Sequence, residues 1–154
     1  MRKGLIMIEV EKVDHVGVRV ADADRAIAIY NLLGFEVHHR SSLDTVIIIR
    51  NAVDVELNLI CNANNANDDK NILMDVGDKF PGLTHLALRV ASIKATIETL
   101  NANDIPITQG PVAFEAGGHV SVFVRDPDRN VLELRGRAED LSDLPGVTVY
   151  QQEN

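Results

Sequence analysis

The chain has 154 residues, 45% apolar and 25% charged, with a single cysteine and a net charge of −8. That balance suits one soluble domain, or two small units sharing a core, and its acidity disfavours nucleic-acid backbones and anionic membrane surfaces. Lone Cys61 excludes an internal disulfide framework, and no stretch reaches the roughly 20 apolar residues that cross a bilayer, so a cytoplasmic protein with a small-molecule partner is expected.

The opening "MRKGLIMIEVEKVD" carries a short apolar run without a small-residue cleavage site. From Val13 to Val20 apolar residues alternate, which is the period of a strand with one packed face. Asp22 then caps a helix in which Ile27, Tyr30 and Leu33 form a stripe, and Gly34 stops it. Three strands are predicted next, over 35–39, 45–51 and 53–60. A polar, Asn-rich connector occupies 63–79 and carries no assigned function. The order then repeats. A strand runs from Leu83 to Val90, and Ser92 caps a helix with Ile93, Ile97 and Leu100 buried and Asn103 as its left-handed stop. Strands follow near Ile107, over 121–125 and over 130–135. The last two are joined by "RDPDRN", a proline-containing turn whose charges are expected to be solvated. A tail over 138–154 is expected to return across the surface.

The repeat sets the architecture. "DHVGVRV" from Asp14 recurs as "THLALRV" from Thr84, so that His15 matches His85 and Arg19 matches Arg89. With an insertion of seven residues in the second copy, "VDVELNL" falls on "NVLELRG" and Glu56 on Glu133. The fold class is therefore α+β, with two tandem strand-helix-three-strand (βαβββ) modules over 8–62 and 80–137 making a single domain over 8–137.

The alternation also sorts the faces. His15, Gly17 and Arg19 share one side of their strand and Val16, Val18 and Val20 the other; His85, Ala87 and Arg89 repeat the arrangement. Asp54, Glu56 and Asn58 oppose Val55, Leu57 and Leu59, and Glu133 with Arg135 opposes Leu132 and Leu134. If the modules pair about a pseudo-twofold axis, two imidazoles and two carboxylates converge. His15, Glu56, His85 and Glu133 are a sound ligand set for one divalent transition metal, and a cation offsets the repulsion and desolvation of the buried acids. Arg19 and Arg89 either hold an anionic substrate group or pair with acids at the sheet rim, and Asn58 shares the substrate face. His119, beside Gly117 and Gly118, belongs to a lid or to a plain hairpin loop; His38 and His39 are expected at the surface.

These residues, with "HVGVRVADADRAIAIYNLLGF" and "GPVAFEAGGHVSVFVRDPDRNVLEL", resemble the vicinal oxygen chelate superfamily over about 10–137. That superfamily includes glyoxalase I, extradiol dioxygenases, methylmalonyl-CoA epimerase and the fosfomycin and bleomycin resistance proteins. The resemblance implies curved sheets forming a cup around one divalent ion per site (Ni, Co, Zn, Mn or Fe), with modules paired within one chain or across a homodimer. The His, Glu, His, Glu set is similar to bacterial glyoxalase I, which implies a lyase or isomerase working through a metal-stabilised enediolate. Glu133, or else Glu56, then moves the proton, and Arg19 stands where that family contacts glutathione. Its asparagine four residues after the first ligand glutamate is Ile60 here. An extradiol dioxygenase uses two histidines and one glutamate, and its tyrosine ten residues before that glutamate is Phe123 here. A non-catalytic antibiotic-binding protein is the alternative in which the cup performs no chemistry.

Overall fold

In the computed structural model, which describes residues 7–43, 45–64, 69–114, 118–137 and 144–150, both helices begin at their capping residues. Asp22 accepts the Arg25 amide at 2.7 Å to start α1 (Ala23–Leu32), and Ser92 accepts the Ala95 amide at 3.1 Å to start α2 (Ile93–Ala102). Each such cap stabilises its helix by about 1 kcal/mol. Gly34 adopts φ 85° after α1, as expected of a stop. After α2 the left-handed residue is Asp104 (φ 55°), not Asn103. The Asn103 side-chain amide donates to the Thr99 carbonyl at 2.8 Å, which ties it to the last turn and passes the stop on by one residue.

The chain divides into two compact units, 1–63 and 64–154. In the first, β1 (Val16–Arg19), α1, β2 (Glu36–Arg40), β3 (Val46–Arg50) and β4 (Glu56–Ile60) form a sheet of order β1-β4-β3-β2. β1 and β4 are parallel and the other pairs antiparallel. Val18, Val20, Ile47, Ile49, Leu57 and Leu59 are buried on one face, as are Ala26, Ile27 and Tyr30 of α1. Each large aliphatic among them contributes about 2 kcal/mol by leaving water. All five residues of β2 are exposed, which puts His38 and His39 at the surface.

In the second unit, β5 (Leu86–Arg89), α2, β6 (Gln109–Ala113), β7 (His119–Arg125) and β8 (Val131–Arg137) repeat that order. A short β9 (Thr148–Val149), which the sequence pattern does not announce, joins parallel to β6 and extends the sheet to β5-β8-β7-β6-β9. α2 packs on β8 and β7. β1 and β5 each begin one residue after their histidine, three residues later than the alternation suggests, because the ladder starts only where a parallel partner is present.

The register corrects the repeat. The β3–β4 and β7–β8 hairpins both close over five residues, pairing Arg50 with Glu56 and Arg125 with Val131. Their left-handed residues, Asp54 and Arg129, occupy the same place in each loop. Across the parallel pair, Gly17 faces Asn58 while Ala87 faces Glu133. The structural counterpart of Glu133 is therefore Asn58, and that of Glu56 is Val131. The seven-residue insertion is five residues at this point. A slip of two keeps every side chain on its face, so apolar patterning alone does not detect it.

The "RDPDRN" turn is also not the solvated loop expected. Asp126 is buried and accepts from the Asp128 and Asn130 amides and the Asn130 side chain at 2.8–2.9 Å. Arg125 forks onto Asp75 at 2.8 and 3.3 Å. Asn71 donates to the Arg129 carbonyl, so the described part of the connector is tied to this turn. Residues 65–68 of the connector, Gly117, and 138–143 and 151–154 of the tail lie outside the described residues. Between them Leu144 is buried and the Tyr150 ring lies 5.2 Å from that of Phe114. Among the described residues no helix is long and apolar enough to cross a membrane.

Candidate metal centre

Each unit brings one histidine beside one glutamate, by different routes. In the second, His85 Nε2 stands 3.0 Å from Glu133 Oε2, diagonally across β5 and β8. Glu133 is buried, and its other oxygen accepts the hydroxyl of the fully buried Ser121 at 2.6 Å. The Phe123 ring, cross-strand partner of Glu133, meets the His85 ring edge to face at 5.8 Å. The carboxylate is thus clamped at one oxygen and presented at the other. Desolvating it without partners would cost several kcal/mol, so Ser121 and His85 explain how an acid stays in this sheet.

In the first unit, Asp14, His15 and Glu56 each place a donor atom within 4.8 Å of the others. Glu56 Oε2 takes both Nη2 and Nε of Arg50, at 2.6 and 3.0 Å, while its Oε1 has no partner among the described residues. Asn58, in the position equivalent to Glu133, has a buried Oδ1 without a hydrogen-bond partner among the described residues. Burying such an acceptor unsatisfied costs about 1–3 kcal/mol, which suits an atom awaiting a ligand.

The residue before each histidine orients its ring. Asp14 Oδ1 lies 2.6 Å from His15 Nδ1, and Thr84 Oγ1 lies 2.9 Å from His85 Nδ1. Hydrogen bonding to His15 and its charge hold the Asp14 carboxyl below its usual value. An ionised carboxylate only accepts, so His15 Nδ1–H is the donor of this pair and Nε2 is the ring atom turned away from it. The Thr84 hydroxyl both donates and accepts, so it permits either tautomer of His85.

These groups fit a divalent ion. Two donors about 2.1 Å from one cation and at right angles lie about 3.0 Å apart, the separation of His85 Nε2 and Glu133 Oε2. Asp14, Ser121 and Thr84 are the neighbours of the candidate ligands that sequence reasoning missed. The only signal for two of them was a polar residue ahead of each repeated histidine. Arg19 donates to Asn62 Oδ1 at 3.0 Å, and His119 starts β7.

A family model described as "Glyoxalase/Bleomycin resistance protein/Dioxygenase superfamily" matches residues 12–134. Among solved structures, a glyoxalase/dioxygenase from Nostoc punctiforme is similar at a TM-score of 0.68 and 20% identity, covering 88% of this chain and 99% of that one. The fosfomycin resistance protein FosX from Listeria monocytogenes is similar at 0.62 and 17%, covering 87% and 96%. The virulence protein STM3117 from Salmonella typhimurium gives 0.60 and 22%, covering 84% and 99%. At these identities the structures establish the shared fold.

Proposed function

Because the chain belongs to the glyoxalase/bleomycin resistance protein/dioxygenase superfamily, we propose that it is a divalent-metal-dependent enzyme of the glyoxalase type, a lyase or isomerase that moves a proton on a small oxygenated substrate. The observation that carries this reading is the buried His85–Glu133 pair, spaced as two ligands of one ion and braced by Ser121. His15 and His85 with Glu133 hold the cation in this proposal. Glu56 is the fourth ligand if it releases Arg50, and Asn58 is the fourth if it does not. One shared ion would require both pairs at one centre, within one chain or across a homodimer. The cation supplies Lewis-acid polarisation of substrate oxygens.

The two carboxylates divide the work. Glu133 spends one oxygen on Ser121 and turns the other to His85, which suits a holding role. Glu56 Oε1 has no partner among the described residues while Arg50 fixes the rest of the group, which suits a base that accepts a proton and returns it to the adjacent carbon. Arg19, Arg89 and Asn58 face the substrate. Exchanging each acid for glutamine separates the roles. Glu133→Gln should lose most of the bound metal, as read by elemental analysis. Glu56→Gln should retain it and lose about 10²-fold or more in turnover of a 2-oxoaldehyde thiol adduct, the range of a general base. A Glu56→Gln protein with its metal and full turnover would remove Glu56 as the base.

A second reading draws on the register. With Asn58 rather than Glu56 in the symmetric place, two histidines and one glutamate remain, the set used by extradiol dioxygenases. Phe123 stands beside His85 without the hydroxyl of that family's tyrosine. Oxygen uptake with catechols, and none of the thiol-adduct reaction, would favour this second reading.

A further inference from the structure

On the face of the second sheet that carries His85 and Glu133, one row further along the strands, Arg89 and Arg135 are direct partners across the parallel β5–β8 pair. Adjacent strands lie about 4.8 Å apart, so two cationic side chains leave the same face as neighbours. Like charges set opposite each other destabilise a sheet, so this pairing needs a compensating group. Among the described residues only Glu133 comes near, and only to Arg135. Arg89 has no hydrogen-bond or ion-pair partner among the described residues. Among the described residues the acid beside Arg135 is Glu133, whose Oε1 is 3.8 Å from Nη1, and that oxygen already holds Ser121 at 2.6 Å. The same row of the first unit carries Arg19 opposite Ile60, a single guanidinium that donates to Asn62. The double cation is therefore particular to the second unit. It stands out in a chain whose net charge is −8. The one-methyl side chain of Ala87, exposed between His85 and Arg89, leaves room above Glu133 for a molecule that spans both rows.

We infer that Arg89 and Arg135 form an oxyanion clamp, and that the substrate carries a carboxylate or phosphate group anchored there while its reacting end meets Glu133. Two planar guanidinium forks side by side match the several lone pairs of such a group. The separation is one strand repeat, about 6.7 Å from the Glu133 row, which fits a small molecule with its anionic group three or four bonds from the reacting atoms. The placement beside Glu133 rests on the proposed function; the clamp itself does not.

Calorimetric titration of the purified protein with acetate and, separately, with inorganic phosphate tests this, with metal content measured on the same samples. Saturable binding of either anion is expected, and the one that binds names the class. Arg89→Gln and Arg135→Gln should each weaken it about tenfold, the loss of one charge-assisted pair, while leaving metal content unchanged. Lys94→Gln, on α2 and hence on the far side of the sheet, removes the same charge and should leave the affinity unaltered. Equal binding by the wild type and the Arg89→Gln/Arg135→Gln double variant, no saturable binding by the wild type, or an equal loss in Lys94→Gln would each overturn the clamp. Anion binding by a protein that takes up no metal would retain the clamp and reject the metal-enzyme reading instead.

Discussion

The two units carry one topology and place their acids in different rows of it. Across the polar face of the first, successive rows read Glu56–Arg50, then Gly17–Asn58–Ile48, then Arg19–Ile60–Val46. The second reads Val131–Arg125, then Ala87–Glu133–Phe123, then Arg89–Arg135–Ser121. Glu56 thus lies in the row nearest the hairpin and is neutralised by Arg50. Glu133 lies one row deeper, where a hydroxyl and an imidazole receive it. The same scaffold yields a charge-paired, half-open acid in one copy and a buried, hydrogen-bonded acid in the other. The lesson is that a repeated letter does not make a repeated site; the row decides what the letter does.

The comparison breaks most visibly at Asn58. Asn58→Glu would place a second carboxylate in the Glu133-equivalent position without a Ser121 counterpart, since Val46 occupies that place. We expect metal-free protein to lose about 3–5 kcal/mol in denaturant unfolding, and added divalent metal to restore much of it. A neutral effect in both states would mean that this position is not equivalent to Glu133.

Next in size is Ser121→Ala. Removing the hydroxyl leaves Glu133 Oε1 buried without its donor, at an expected cost of about 2 kcal/mol and with weaker metal retention. Val46→Ala, the matching site of the first unit, should remove packing and leave metal content alone. Equal metal in wild type and Ser121→Ala would show that the hydroxyl does not position the ligand.

The smallest effect separates Arg50 from Arg125, which share a place in the two hairpins. Arg125 is paired with Asp75 instead of a sheet acid. Burial pushes the Asp75 carboxyl up, but the Asn71 amide and Arg125 outweigh it and hold the group below 3.8. A lowered folded value means stability that is present above 3.8 and lost as pH falls through the folded value. Asp75→Asn should therefore be about 1 kcal/mol less stable than wild type at pH 7, with the difference shrinking below pH 3.8. A difference that does not change with pH would remove the ion pair as its cause. Sedimentation at several concentrations addresses the pairing of units: a homodimer is expected, and a monomer at all concentrations would leave only pairing within one chain.

Much of this was legible beforehand, for physical reasons. Asp22 and Ser92 announce their helices because a cap is a local hydrogen bond. The alternation through Val16, Val18 and Val20 announces the faces because strand period is fixed at two. The Glu56–Glu133 equivalence misread the row because the letters "VEL" and "LEL" agree at an offset that the hairpins do not use. Ser121 was invisible because it stands twelve residues from Glu133 and is set beside its carboxylate only by a cross-strand register. Asp126 has the sequence neighbours of an exposed turn, whereas its partners include two backbone amides and the Asn130 side chain within that turn.

The five-residue hairpins carry a consequence for where an acid can be relocated along these strands. An acid that moves by one residue turns a core side chain outward and is removed by selection. An acid that moves by two leaves every core contact in place and arrives in a new electrostatic neighbourhood. Relocation along these strands is therefore quantised: only double steps keep an acid on its own face, and each step trades one set of cross-strand neighbours for another.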